Sequence, residues 1–295
     1  MRALVIGASG QVGAALLRVL RARGHEAVGT WAHHAFPGLV PLDFADAAAV
    51  ERLIAETRAD WVLCPAALSH VDYCEDHPEE AFAANLHAPL AAAKAAARAG
   101  AGFVYYSSDY VFDGVGGPYA EDAVPRPLGV YGQSKWEGEQ AVRGALERSL
   151  VVRTSVVYGP ERQEKNFVYQ LIGACRGGQG FRPAVDQRAS PSHNEDVATA
   201  TVECCEREER GTWHLAGADV LDRLAFARLI CRVFDLDASR LTPATTAELQ
   251  QKAARPLDGG LRIAKAQSRL RTPLRGVEEG LRAMRAALAA GPPAG

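Results

Sequence analysis

A glycine-rich turn near the N-terminus constrains the fold of this chain most strongly. An apolar run at residues 3–6 ends directly before Gly7, and Gly10 and Gly13 follow at intervals of three. Apolar residues at helical spacing continue as far as Leu20. Glycines between a strand and a helix let the backbone approach a pyrophosphate, whose charge meets the helix N-terminus. The pattern predicts a strand, a dinucleotide-binding turn and a helix.

Strands and helices alternate through the first half of the chain. Strands are predicted at residues 27–30, 39–42, 61–64, 102–106 and 150–153. Helices are predicted between them at residues 45–57, 79–99 and 131–146. This alternation is typical of a parallel sheet with helices on both faces. We therefore predict an α/β fold with a doubly wound parallel sheet of the Rossmann type and a smaller C-terminal α/β substrate lobe.

The domain prediction follows from where this alternation stops. Residues 1–160 are predicted to form the NAD(P)-binding Rossmann domain, with later segments returning to its sheet. Residues 161–290 are predicted to be mainly a substrate-binding lobe. Residues 291–295, which are rich in proline and glycine, are predicted to be a frayed tail.

Composition excludes several classes of function. The chain has 295 residues, a net charge of -2 and 48% hydrophobic residues, so neither nucleic acid nor an anionic membrane is an expected partner. No apolar run approaches a membrane span and no signal peptide is recognised, so a cytoplasmic protein is expected. The six cysteines have no metal-like spacing, and we expect reduced thiols and no metal site.

Tyr131 and Lys135 carry the strongest catalytic pattern. They are four residues apart at the start of a predicted helix, so their side chains share one face. A tyrosine has a pKa of about 10, and a nearby ammonium lowers it toward the range useful for proton transfer. Ser107 and Ser108 end the preceding predicted strand, at the edge where open sheets bind ligands. We select Ser108 as the hydroxyl that holds a substrate carbonyl for Tyr131.

The end of the second predicted strand bears on the choice of cofactor. An acid there usually binds the ribose hydroxyls of NAD, but the run from Thr30 to His34 contains none. Its absence permits the 2′-phosphate of NADP, which His33 or His34 could partly neutralise. Asp43 and Phe44 follow the third predicted strand and are placed to flank the adenine. We predict NADPH, with NADH as the alternative.

Together these motifs resemble the extended short-chain dehydrogenase/reductases, specifically the dTDP-4-dehydrorhamnose reductase group. The resemblance covers essentially the whole chain. Its most specific part is residues 107–114, which are close to the S-T-D-Y-V-F-x-G run of that group. Further matches are residues 7–13, 43–44, 65–67, 71–75, 85, 131–135, 153–159 and 255–256.

The resemblance implies an NAD(P)H-dependent reductase of a nucleotide-linked 4-keto-6-deoxy sugar, acting as a monomer or homodimer. Its catalytic residues would be Ser108, Tyr131 and Lys135. The cofactor-binding residues predicted from pattern and resemblance are Gly7, Ser9, Gly10, Gln11, Val12, Gly13, Thr30, His33, Asp43, Phe44, Ala66, Ala67, Asn85, Tyr131 and Lys135. The predicted substrate-binding residues are Ser69, Val71, Asp109, Asp186, Gln187 and Arg255, with the Arg255 guanidinium reaching the nucleotide diphosphate.

The chain departs from the group on the substrate side. Asp258 and Gly259 replace an Asn and a Ser after the Arg-Pro pair, and Ala189 and Ser192 replace a Gly and a Thr after the Asp-Gln pair. Ala15 replaces a glutamate that some members use to hold magnesium. We therefore predict that the residues for hydride transfer are intact and that the substrate pocket is altered. Another nucleotide-linked keto-sugar is an open alternative as the substrate.

Two other functions stay open. An epimerase or dehydratase of the same superfamily is one, although Tyr110 stands where a dehydratase needs a second acid after Asp109. The other is a non-catalytic regulatory subunit resembling that of methionine adenosyltransferase.

Overall fold

Seven parallel strands form the central sheet. The structure is a computed structural model that describes residues 1–33 and 35–291, so His34 and the predicted tail beyond residue 291 lie outside the described residues. All strands of the described residues, including those outside the central sheet, are in chain order β1 (Arg2–Val5), β2 (Glu26–Trp31), β3 (Val40–Pro41), β4 (Trp61–Cys64), β5 (Gly102–Ser108), β6 (Ser149–Thr154), β7 (Val157–Tyr158), β8 (Arg188–Ala189), β9 (Ser192–His193), β10 (Gly211–His214) and β11 (Leu221–Asp222).

Helices cover this sheet and build a second lobe beside it. In chain order they are α1 (Gln11–Ala22), α2 (Ala47–Thr57), α3 (Val71–Asp76), α4 (Pro78–Phe82), α5 (Ala88–Arg98), α6 (Val130–Ala145), α7 (Phe167–Arg176), α8 (Asn194–Glu206), α9 (Arg223–Phe234), α10 (Thr246–Leu249), α11 (Ala264–Arg269) and α12 (Val277–Ala289). Short 3-10 turns lie at Asp109–Val111 and Ala238–Arg240.

The strand order places the ligand-binding edge. The sheet runs β10-β6-β5-β4-β1-β2-β3, and each neighbouring pair is parallel. The order reverses beside β1, and open sheets bind ligands outside the carboxyl ends of their strands at such a reversal. In this register Ser108 lies opposite Thr154 at the carboxyl edge. The predicted doubly wound parallel sheet is confirmed.

Alternating side chains of the strands fill two cores, one on each face of the sheet. Val5, Leu63 and Val104 pack with residues of α1 and α8, whereas Leu4, Val62 and Phe103 pack with residues of α2, α5 and α6. Burial on both faces explains why the strands read as continuous apolar runs.

A third core belongs to the smaller lobe. It joins α7, α9 and α12 through buried side chains such as Leu171, Phe226 and Leu281. Two later segments return to the main sheet, since α8 packs on its α1 face and β10 pairs with β6. The division at residue 160 stays a prediction.

The predicted continuous helix over residues 79–99 is interrupted. A π-helical turn, Ala83–His87, separates α4 from α5 and contains the buried Asn85. Such turns frequently occur at functional sites, because the extra residue re-aims a side chain. Alanine content and helical spacing do not predict this insertion.

Three further features concern membrane-spanning helices, metal sites and cysteines. The helices within residues 1–33 and 35–291 include none that combines the length and apolarity needed to cross a membrane. Within the same residues, no group of three or more His, Cys, Asp or Glu side chains is arranged to hold a metal ion. The six cysteines are free and buried.

Candidate active site

The glycine turn between β1 and α1 is shaped by close packing. Gly7 has φ +89°, and its N–H donates to Thr30 Oγ1 at 3.1 Å. A Cβ at Gly13 would lie 2.2 Å from the Gly7 carbonyl oxygen, so only glycine lets α1 approach the turn this closely. Ala66 closes the other side, because a Cβ at Gly7 would lie 2.9 Å from the Ala66 Cβ. The side-chain hydroxyl of the buried Thr30 therefore holds the backbone of the turn at Gly7.

The N-terminus of α1 offers unpaired donors to an anion. In the described part of the chain no side chain caps this helix at Gly10, and its first turn holds no acidic residue. Gln11 Nε2 is buried and lacks a hydrogen-bond partner among those residues. Backbone N–H groups at a helix N-terminus bind phosphate well. Ser9 lies in the turn and Val12 in the first helical turn, so the predicted residues of this segment come together around a site that fits a dinucleotide pyrophosphate.

The other predicted cofactor residues lie along the same edge. His33 is exposed after β2, and Asp43 is exposed with its Oδ1 accepting the Ala45 N–H at 2.9 Å. Phe44 packs partly against the core, and Ala67 is exposed in the loop after β4. Their binding role stays a prediction.

Ser108 and Tyr131 meet at the carboxyl edge. Ser108 ends β5, accepts the Tyr110 N–H at 3.2 Å and donates to Asp109 Oδ1 at 3.0 Å. Tyr131 lies in the first turn of α6, and its ring packs edge-to-face on Tyr110, whose N–H bonds Ser108. Burial raises the pKa of the Tyr131 phenol, and the Ser108 hydroxyl opposes that rise. The prediction that the nearby ammonium lowers this pKa is therefore wrong for the cofactor-free protein, because burial outweighs it. The structure therefore brings Ser108 and Tyr131 to the same edge of the sheet.

Lys135 lies one helical turn after Tyr131 and is 2% exposed. Its Nζ is 4.2 Å from the centroid of the Tyr105 ring, a cation–π arrangement. Burial lowers the pKa of the Lys135 ammonium to about 8. A cation one helical turn from a phenol favours the phenolate that proton donation leaves behind.

Buried polar contacts fix the position of α6. Glu75 Oε1 accepts the Val130 N–H at 2.7 Å, which caps the helix N-terminus. One turn after Lys135, Glu139 pairs with Arg153 of β6 at 2.7 Å, and these side chains are 0% and 2% exposed. The catalytic face of α6 is thus held from both ends.

Asn85 connects this helix to the loop after β4. Its Nδ2 donates to the Leu68 carbonyl at 3.0 Å and to Ser134 Oγ at 3.1 Å, and its Oδ1 accepts the Leu68 N–H at 3.0 Å. The side chain therefore positions the loop that carries Ala66 and Ala67. Direct contact of Asn85 with a cofactor stays a prediction.

A cavity of about 510 Å³ lies near this edge of the sheet, with Tyr110 in its lining. The Tyr110 ring lines it and packs edge-to-face on Tyr131, with centroids 5.6 Å apart. The lining residues are Ser69, His70, Val71, Asp72, Tyr110, Phe167, Gln170, Phe181, Arg182, Pro183, Ala184, Gln187, Arg223, Leu249, Gln251 and Arg255. Four predicted substrate residues are among them, namely Ser69, Val71, Gln187 and Arg255.

The other two predicted substrate residues have protein partners. Asp186 accepts the Thr246 N–H at 2.9 Å and its hydroxyl at 2.7 Å, so it anchors the start of α10. Asp109 accepts hydrogen bonds from Ser108 and Ser155. Gln187 also helps hold α10, since its Nε2 donates to Thr246 Oγ1 at 3.0 Å.

The cavity has an excess of positive charge. Arg255 Nη2 pairs with Asp72 at 2.8 Å, but its Nε and Nη1 are buried without a partner in residues 1–33 and 35–291. The Arg223 guanidinium lies 5.4 Å from the Phe167 ring centroid. Among the described residues, Arg182 and Arg223 form no ion pair. Unpaired guanidinium donors around a cavity suit a phosphate-bearing ligand.

Sequence reasoning missed Arg182 and Arg223. Arg223 is the first residue of α9, and a cation is unfavourable at the positive end of a helix dipole. That placement is the one sign in the sequence that could have singled out Arg223. Arg182 lies in the loop before Pro183 and carries no comparable sign.

The two segments that depart from the family pattern contact each other. Arg188 Nη1 pairs with Asp258 Oδ1 at 2.9 Å, and the Arg188 N–H donates to the Leu257 carbonyl at 2.7 Å. A Cβ at Gly259 would lie 2.9 Å from the Arg188 carbonyl oxygen. The two altered segments therefore lie against each other, so their changes from the family pattern affect one region of the structure.

A doubly wound sheet with a glycine turn after β1 and a Ser–Tyr–Lys set at its carboxyl edge defines the extended short-chain dehydrogenase/reductase class. A family model described as RmlD substrate binding domain matches residues 1–290, and the chain belongs to that family. The resemblance inferred from the motifs is confirmed.

Relatives of known name cover nearly the whole chain. A Haloferax volcanii protein named "Probable low-salt glycan biosynthesis reductase" is 34% identical over 97% of this chain and 98% of its own length. Methionine adenosyltransferase 2 subunit beta of Bos taurus is 33% identical over 95% of this chain and 87% of its own length.

Solved structures of the same group superpose closely. A dTDP-4-dehydrorhamnose reductase of Clostridium acetobutylicum has a TM-score of 0.90 and 29% identity, covering 98% of this chain and 100% of its own. The Bacillus anthracis enzyme of that name, solved in complex with NADP, has a TM-score of 0.88 and 26% identity, covering 97% of this chain and 98% of its own.

Proposed function

We propose that this protein is a nicotinamide-dependent oxidoreductase that reduces the ketone of a nucleotide-linked sugar, with NADPH as reductant and a 4-keto-6-deoxy sugar as substrate. The observation that carries the proposal is the contact between catalytic set and cavity. The Tyr110 ring packs edge-to-face on Tyr131 and lines a cavity that holds unpaired arginine donors. A proton donor therefore adjoins a place for a diphosphate.

The cofactor proposal is supported by the glycine turn and by the comparisons. The uncapped N-terminus of α1 fits a pyrophosphate, and the Bacillus anthracis neighbour was solved with NADP. Thr30, Trp31, Ala32 and His33 supply no carboxylate that would repel a 2′-phosphate. Reduced nicotinamide, when bound, supplies the hydride.

The residues of this chain handle the oxygen and its proton. Ser108 holds the ketone oxygen, and Tyr131 donates its phenol proton to that oxygen as negative charge develops there. Because burial raises the pKa of Tyr131, the phenol keeps its proton until the oxygen becomes basic. Lys135 then stabilises the phenolate by its charge.

Substitution of Tyr131 tests the proposal. Tyr131→Phe should lower kcat by about 10²- to 10⁴-fold, the usual contribution of a general acid, while NADPH affinity stays near that of the wild type. Turnover is measured as the loss of reduced-nicotinamide absorbance with enzymatically generated dTDP-4-keto-6-deoxyhexoses. Tyr169→Phe removes a hydroxyl outside the cavity lining and is the matched control. Equal turnover by Tyr131→Phe and the wild type would refute the proposal.

A second candidate is a non-catalytic subunit of another enzyme, which the 33% identity to a methionine adenosyltransferase subunit favours. Size-exclusion chromatography with a methionine adenosyltransferase catalytic chain separates the two functions. A stoichiometric complex without ketone reduction supports the subunit function, and reduction that Tyr131→Phe abolishes supports the reductase.

A further inference from the structure

The Ser108 hydroxyl has one proton, and its neighbours determine where that proton points. Ser108 Oγ lies 3.0 Å from Asp109 Oδ1 and accepts the Tyr110 N–H at 3.2 Å. An ionised carboxylate only accepts hydrogen bonds, so the Ser108 proton points at Asp109. The Ser108 hydroxyl then has only its second lone pair left to offer.

In this arrangement the Ser108 hydroxyl is not set to donate to a ketone. A hydroxyl that gives its only proton to Asp109 cannot give it to a substrate oxygen. Productive binding therefore requires a change in the hydrogen bonding of Asp109.

Asp109 is built to make such a change. It is 5% exposed, and its Oδ2 accepts the Ser155 hydroxyl at 2.5 Å. The charged and titratable groups that face it are Arg223 from α9, Tyr110 of its own turn and Tyr131 from α6. None of the described residues forms an ion pair with Asp109. Burial raises the pKa of the Asp109 carboxyl, and the hydrogen bonds from Ser155 and Ser108 oppose that rise.

We propose that Asp109 is a positioning residue whose own proton sets the direction of the Ser108 hydroxyl. When Asp109 is protonated, its O–H donates to Ser108, and the Tyr110 N–H fills the second Ser108 lone pair. The Ser108 proton then turns to the ketone oxygen, which is the oxygen that Tyr131 protonates. The inference rests on the proposed reductase function. No proton is consumed at Asp109, because only the direction of the hydrogen bonds changes.

A pH dependence follows with a definite sign. The protonated fraction of Asp109 falls about tenfold for each pH unit above its pKa. Since the protonated form is the productive one, kcat/KM of the wild type should fall by the same factor as pH rises. Because burial raises the Asp109 pKa, this fall begins at a higher pH than for an ordinary carboxyl.

The variant Asp109→Asn tests the inference. An amide imitates the protonated acid, because its Nδ2 donates to Ser108 while its Oδ1 accepts from Ser155. We expect the tenfold fall in kcat/KM per pH unit to be absent from Asp109→Asn. Asp109→Leu has no donor for Ser108 and should lower kcat at least about tenfold, because the Ser108 proton is left undirected.

Two further variants test the inference without substituting Asp109. Ser155→Ala removes a hydrogen bond that holds the Asp109 pKa down, so the fall in kcat/KM should move to higher pH. Asp113→Asn changes a carboxyl that bonds Tyr119 at 2.6 Å in the same loop and should keep the wild-type pH profile. NADPH affinity and the urea midpoint of unfolding are measured for each variant to identify loss of structure.

The outcomes separate this inference from the proposed function. A wild-type pH slope in Asp109→Asn, or an unshifted profile in folded Ser155→Ala, overturns the inference while the reductase function stands. If the wild type reduces no nucleotide-linked ketone, the proposed function fails and infrared spectroscopy decides the inference. A protonated-carboxyl band that titrates in the wild type and is missing from Asp109→Asn supports the role of Asp109, and its absence from the wild type overturns it.

Discussion

Replacing Lys135 with methionine should stabilise the protein while removing its activity. Lys135 is 2% exposed, and burial lowers the pKa of its ammonium from 10.5 to about 8. That difference corresponds to about 3 kcal/mol at neutral pH, because each pKa unit is worth about 1.4 kcal/mol. Methionine retains the apolar stem and carries no charge, so we expect a net gain of up to about 3 kcal/mol.

The sign of the pH dependence distinguishes this reasoning from a general packing effect. The unfolded chain holds the Lys135 proton up to pH 10.5, whereas the folded chain releases it near about 8. The unfolded state therefore binds more protons between these values, and wild-type stability rises with pH there. The variant lacks the group, so its advantage should decline toward zero across this window.

Urea unfolding of the cofactor-free protein at neutral and alkaline pH measures both quantities. Lys94→Met is the matched control, because Lys94 is exposed on α5 and its substitution should not reproduce the pH-dependent gain. The reasoning is refuted if Lys135→Met is less stable than the wild type by the same amount at both pH values. A variant that keeps wild-type turnover would remove Lys135 from the catalytic set.

Two further substitutions test the cavity and the support of α6. Arg223→Met should raise KM for the nucleotide sugar by about tenfold to a hundredfold, because a hydrogen bond to a charged group is worth about 1.5–3 kcal/mol. Arg228→Met, exposed on the same helix, is its control, and equal KM values would place Arg223 outside the site. Glu139→Gln leaves the Arg153 guanidinium buried without a counter-charge and should lower the free energy of unfolding by about 3–5 kcal/mol in urea. A loss below about 1 kcal/mol would show that the pair is effectively solvated.

The sequence by itself determined the parts whose geometry is local. Gly7 to Gly13 specify a strand, a tight turn and a helix, because glycine spacing acts within a few residues. Tyr131 and Lys135 share a helical face because of their separation alone. Alternating apolar runs and helices were enough to predict the doubly wound sheet and to place Ser108 at its carboxyl edge.

Only the tertiary structure decided which distant residues meet. Arg223 reaches the cavity that Arg255 lines, and Ser155 reaches Asp109 across 46 positions of the chain. The first contact depends on how the smaller lobe folds over the sheet, and the second on the register that pairs the end of β5 with the end of β6. Neither periodicity nor a short motif encodes a partner at that separation. The π turn at Asn85 arises in the same way, because its side chain is satisfied by a loop and a helix that lie elsewhere in the sequence.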